Sequence, residues 1–149
     1  MKGYTRFAAM IATSTVVMYV LMYLNTYRWS HIFYSETRLY MALLMGATMA
    51  IIMISFMLNM YQRRGVNVGI YVVSALVFVM SLWLVRSQAT IADVSWMRAM
   101  IPHHSIAILT SERANLSDPR VRELAGEIIA AQRREIAEMK DLIADLENQ

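Results

Sequence analysis

Residues 39–61 read LYMALLMGATMAIIMISFMLNMY, a run of 23 residues without a single charge. In a hydrocarbon surround only a helix, among single segments, satisfies its own backbone N–H and C=O groups. At 1.5 Å per residue the run is long enough to cross a hydrocarbon core of about 30 Å. Two more uncharged apolar runs lie on either side, residues 7–24 and 66–85. The three together predict three transmembrane helices. Lys2 and Arg6 ahead of the first run give it the outline of a signal peptide, but the bulky stretch Tyr23-Leu24-Asn25-Thr26-Tyr27 offers no small-residue cleavage site. It is therefore read as a retained span. No charge interrupts any of the three, which argues against an ion-pumping or proton-relay transporter.

The central run carries a ladder of Met41, Met45, Met49, Met53, Met57 and Met60. Steps of four place neighbours on adjacent turns, with a drift of about 40° each. A thioether path for Cu(I) through the bilayer is one reading; interhelical or lipid-facing packing is the simpler one. Gly46 and Ala50 form a small-xxx-small pair and predict a close helix contact there.

Composition agrees with a membrane protein. The hydrophobic fraction is 58% and the mean hydropathy is +0.41. With no cysteine in the chain, disulfides, thiolate metal sites and cysteine nucleophiles are excluded. Before Ser87 there are seven Lys/Arg and one acid, a net +6, whereas from Ser87 onward seven Lys/Arg meet ten acids, a net −3. The basic excess thus flanks apolar runs and is not a nucleic-acid patch, so no nucleic-acid partner is expected. Loop charges set the orientation. Lys2, Arg6, Arg63 and Arg64 fall on one side, and Arg28, Arg38 and Arg86 on the other. The tight Arg63-Arg64-Gly65 turn favours the first side as cytoplasmic. Tyr23, Tyr27, Trp29, Tyr34, Tyr40 and Trp83 then line the outer interface. Everything after Val85 is expected outside, in the periplasm if the source is a bacterium and the bilayer its inner membrane. The division expected is a transmembrane region over residues 1–86 and an extracytoplasmic helical hairpin over residues 87–149.

In that second region Thr90 with Asp93 approximates a capping box. Val94, Met97, Ile101, His104, Ile108 and Ser111 step by three and four, as the seam of a packed helix does. Asn115-Leu116-Ser117-Asp118-Pro119 reads as a turn, with Asp118 as N-cap and Pro119 as the first helical residue. Ala125, Ile129, Gln132, Ile136, Met139, Ile143 and Leu146 continue the same spacing. A turn this short makes the two helices antiparallel. Counted outward from it, His104 comes level with Ala131-Gln132, Met100 with Glu135, and Met97 with Glu138-Met139.

Two of the three histidines stand together in Trp96-Met97-Arg98-Ala99-Met100-Ile101-Pro102-His103-His104. On a helix Met97, Met100 and His104 share a face and His103 flanks it. Thioether sulfur and imidazole are the soft-to-borderline donors that suit Cu(I). The candidate metal ligands are therefore Met97, Met100, His103, His104 and Met139. Gln132 and Glu135 stand behind them as supporting groups, and His104 is the expected partner of Gln132. The competing reading is a packed helix face with methionine as filler. His31, alone in the outer loop, reads as an interfacial side chain.

Met100-Ile101-Pro102-His103-His104, followed by Ala131-Gln132-Arg133-Arg134-Glu135-Ile136-Ala137-Glu138-Met139, resembles domain-of-unknown-function family 305. The resemblance runs from about Asp93 to Ile143. It implies a ferritin-like helical fold and an association with copper. The family often carries one more Met six residues after the second His, where this chain has Thr110. The fold expected is thus an all-α membrane protein, three transmembrane helices followed by an antiparallel hairpin that is half of a ferritin-like four-helix bundle.

Three functions compete. The first is a membrane-anchored protein that binds Cu(I) or Ag(I) for holding, transfer or tolerance. The second is a structural or accessory membrane subunit whose hairpin docks a partner or a second copy. The third is a di-metal oxidase, which needs a Glu-x-x-His motif; none occurs, nor any His-Glu-x-x-His, Gly-x-Ser-x-Gly or P-loop. No enzyme activity is expected. Beyond the bilayer, the expected partners are further copies of the chain, with a dimer favoured, and a metal-transfer or membrane-complex partner.

Overall fold

The computed structural model describes residues 2–148. Five α-helices follow one another: α1 (Lys2–Leu21), α2 (Glu36–Phe56), α3 (Arg64–Ser87), α4 (Asp93–Arg113) and α5 (Pro119–Glu147), with a short 3-10 helix Trp29–His31 between α1 and α2. The described residues contain no strand. Three helices, over Gly3–Leu21, Glu36–Phe56 and Arg64–Ser87, are long and apolar enough to cross a membrane. Contacts divide the chain into two compact units. One is formed by the chain up to Met22 with Thr37–Thr90, the other by Tyr23–Glu36 with the chain from Ile91 onward.

In the first unit small residues decide the packing. Ala42, Gly46, Ala47 and Ala50 of α2 are buried. A Cβ added at Gly46 would lie 2.3 Å from the Thr15 hydroxyl oxygen of α1, so only glycine lets these two helices approach so closely. This is the contact expected from Gly46 and Ala50. The methionine ladder runs beside that seam and not in it: Met41 and Met60 are exposed, and Met45, Met49, Met53 and Met57 half-buried.

The far end of α2 stops five residues before the apolar run does. There Met57 N–H shares the carbonyls of Met53 and Ile54, and Met60 and Tyr61 donate three residues back to Met57 and Leu58. These tighter turns end the helix in residues that hydropathy cannot distinguish from its interior. Tyr61 packs with Phe7, Ala50 and Ile54 in a buried cluster. Its carbonyl accepts from Asn67 Nδ2 at 2.6 Å. Tyr4 accepts from the Arg63 backbone N–H at 3.1 Å and donates to Asn67 Oδ1 at 2.9 Å. One tyrosine and one asparagine thus satisfy the polar groups where α1, the turn and α3 meet. At its other end α3 stops on Gln88, which holds the left-handed conformation (φ 53°) and returns its N–H to Leu84.

The second unit is built on α4 and α5. Their ion pairs, Arg98 with Glu147, His104 with Glu135 and Glu112 with Arg133, descend along one helix as they climb the other, so the helices run antiparallel. Met97, Ile101, Ile108, Ile136, Met139 and Ile143 form their buried core, flanked by Val94, Met100 and Ile129. All nine are positions or neighbours that the three-four spacing marks. Asp118 caps α5 as expected, accepting from Arg120 N–H at 2.8 Å with Pro119 behind it. The capping box does not form. Ala92 is the N-cap of α4 and no side chain caps it; the Thr90 hydroxyl pairs with Tyr40 Oη at 2.9 Å.

The loop before α2 belongs to this unit as well. Tyr27 and Phe33 pack on the core, and the Tyr27 N–H donates to the Ser105 hydroxyl at 2.7 Å. Ser95 donates to Glu36 at 3.1 Å.

Candidate functional site

Pro102 lies inside α4 and is fully buried with Ile101 and Ser105. It removes one backbone donor without ending the helix, because the surrounding packing outweighs that loss. The next two residues diverge: His103 is exposed, while His104 is half-buried. Their rings stand 6.3 Å apart, edge to face.

His104 is held at both nitrogens. Its Nδ1 lies 3.0 Å from the Met100 carbonyl. A carbonyl only accepts, so Nδ1 carries the hydrogen. Its Nε2 lies 2.8 Å from Glu135 Oε2. The expected pairing with Gln132 therefore gives way to one with Glu135. The reason is the lean of helical side chains toward their own N-terminus. His104 leans toward the level of Met100, which in an antiparallel pair is the level of Glu135. Cα register alone places His104 beside Gln132.

The five candidate ligands separate into three settings. Met97 and Met139 lie together in the buried core. Met100 packs on the edge of that core and supplies the carbonyl that orients His104. His103 faces outward. Gln132 is half-buried and Glu135 exposed. Among the described residues no group of three or more His, Cys, Asp or Glu is placed to hold a metal ion.

His31 departs from the interfacial setting expected of it. It is buried, not interfacial, with only 7% of its surface exposed, and its Nδ1 lies 2.9 Å from the Ser105 hydroxyl. Its pKa is lowered, first by burial and then by the positive charges of Lys140 and Arg28. With Tyr27, Arg28, Ile108, Arg133 and Ile136 it lines a cavity of about 360 Å³. Ser105 was the available signal: a small polar residue between Ile101 and Ile108 on an apolar seam needs a partner.

An all-helical chain with three apolar spans and a paired-helix unit bearing a Met-Ile-Pro-His-His run is thus defined by its fold and site. Residues 84–149 match the domain of unknown function DUF305. Over 143 residues the chain is 32% identical to an uncharacterised protein of Acanthamoeba polyphaga mimivirus, covering 91% of each. The chain belongs to one family with that protein. No solved structure matches the chain.

Proposed function

We propose that the chain is a membrane-anchored protein that holds Cu(I) or Ag(I) as cargo and passes it on. The α4–α5 pair would bind the ion through Met97, Met100, His104 and Met139, with His103 as an outer donor. The observation that carries this reading is the clamp on His104. A hydrogen bond from Nδ1 to a backbone carbonyl orients the ring and aims Nε2, as is usual for a metal-ligating imidazole. Glu135 now shares a proton with that nitrogen, so an arriving ion would take the place of that proton, which is released to solvent, and the carboxylate would either move off or join the ion. Soft donors without thiolate favour Cu(I) over harder cations. In this proposal the three apolar helices anchor the protein in a bacterial inner membrane, with its N-terminus cytoplasmic and the helical pair outside. The pair is half of a ferritin-like bundle that a second copy completes.

A specific observation favours the alternative, an accessory subunit whose helical pair only packs: Met97 and Met139 are buried among isoleucines, where methionine is a common filler. Cu(I) titration of the purified protein separates the two. His104→Ala and Met100→Leu are each expected to weaken Cu(I) binding at least tenfold, and Arg134→Ala, on an exposed neighbour, to leave it unchanged. Met→Leu nearly conserves volume, so its packing loss stays under about 1.5 kcal/mol. Equal small effects at all three positions would leave only the packing reading.

A further inference from the structure

The cavity beside His31 is independent of the methionine–histidine cluster and has a different chemistry. Its polar lining is one imidazole and two guanidiniums, Arg28 and Arg133. Arg28 lies over the Tyr27 ring, 5.7 Å from its centroid. Arg133 gives one amino group to Glu112, which leaves the other donors of its fork free. Lys140 adds positive charge close enough to act on His31. The lining thus holds two cations and no acid, a balance that disfavours a metal ion and favours an anion.

The ring of His31 adds a directed donor. The Ser105 oxygen accepts from Tyr27 N–H at 2.7 Å and lies 2.9 Å from His31 Nδ1. Among the described residues the Ser105 proton has no other acceptor, so it points at Nδ1. The neutral ring then carries its own proton on Nε2. That nitrogen has no hydrogen-bond partner among the described residues, although the side chain is more than nine-tenths buried. Burial, and then the charges of Lys140 and Arg28, lower the pKa of the ring. At roughly 30 Å³ per water, a cavity of about 360 Å³ has room for a small polar ligand with its hydration.

We propose that this cavity binds a phosphate group, clasped by Arg28 and Arg133 and receiving a hydrogen bond from His31 Nε2. Planar, multidonor guanidiniums suit phosphate oxygens. The phosphate comes either from free orthophosphate or from a phospholipid headgroup, and both present the same oxygens.

The test uses the full chain in neutral detergent with nitrogen-labelled histidine, at constant ionic strength. Inorganic phosphate is titrated in one arm, and micelles doped with phosphatidylglycerol in the other. A saturable shift of the His31 Nε2 resonance is expected with at least one probe, and the responding probe identifies the source. Arg28→Gln and Arg133→Gln should each weaken that response at least tenfold, with Arg28→Lys retaining part of it and Arg134→Gln all of it. Glu112→Gln releases Arg133 and should tighten binding; this guards against a merely structural effect of losing the pair. No shift with either probe, or equal responses from Arg28→Gln, Arg133→Gln and Arg134→Gln, overturns the proposal.

Discussion

His31 and His104 show how one residue type takes opposite roles within one helical unit. His31 is buried, with its pKa lowered by burial and by Lys140 and Arg28. The unfolded chain protonates this ring near pH 6.5, the folded chain only at lower pH. Between those values the unfolded state binds more protons, so stability is full above about pH 6.5 and is lost as the pH falls through the folded value. Urea denaturation followed by helix signal should therefore show a midpoint that drops as the pH falls below about 6.5. His31→Gln should flatten that slope; an unchanged slope would assign it to other groups. His104 instead faces a carboxylate that is about half exposed. Water and salt screen such a pair, which contributes about 0–1 kcal/mol. Glu135→Gln is accordingly expected to cost less than about 1 kcal/mol in the same denaturation series. A much larger loss would make the pair a structural tie and weaken its reading as a poised ligand position.

Between elements, the tightest contact is Gly46 of α2 against Thr15 of α1. The Thr15 hydroxyl is committed to the Ile11 carbonyl at 2.8 Å, so it cannot swing away without losing that bond. Gly46→Ala forces a methyl into the space, and overpacking of this kind costs about 1–3 kcal/mol. Thermal unfolding in detergent should register the loss, and Thr15→Ala in the same chain should recover most of it. A Gly46→Ala protein as stable as the parent would mean that the helices part easily. This contact was legible in the sequence because small residues four apart have no other common use in a span. The α4–α5 core was legible too, since Met97, Ile101, Ile108, Ile136, Met139 and Ile143 repeat at helical spacing. Less was visible where the chain leaves its helices. Tyr61, Asn67 and Tyr4 form their hydrogen bonds across 6 and 63 residues, and Tyr27 reaches Ser105 across 78. No local period encodes such partners. The site was half legible: the motif located His104, but the lean of its side chain chose Glu135 over Gln132.

At the scale of the whole molecule the apolar surface calls for cover. On α3, Val68, Val72, Val73, Leu76, Val79 and Met80 are each more than half exposed, a surface suited to lipid and not to water. The proposed orientation is checked with single cysteines at Ser87 and Gln62, which should label from opposite sides of the membrane; labelling of Gln62 from outside would reverse it. On α5 the cover has to come from elsewhere. Leu124 and Leu142 are about half exposed, and Val121, Ile128 and Leu146 are exposed as well. Eighteen residues make five turns at 3.6 per turn, so Leu124 and Leu142 lie on one line, with Ile128 and Leu146 about 40° from it. This stripe flanks the buried line of Ile136, Met139 and Ile143 and does not repeat it. Two antiparallel helices bury only one face each, and units this small usually need further support. A second copy related by a two-fold axis brings the same stripe and closes the set. Replacing Ile128 and Leu142 with Glu puts two carboxylates on the stripe without touching the core of the single pair. Helix content should hardly change, while native mass measurement in detergent should move from dimer to monomer. A parent protein that is already monomeric would end the pairing idea, and the stripe would then have to dock on a different partner.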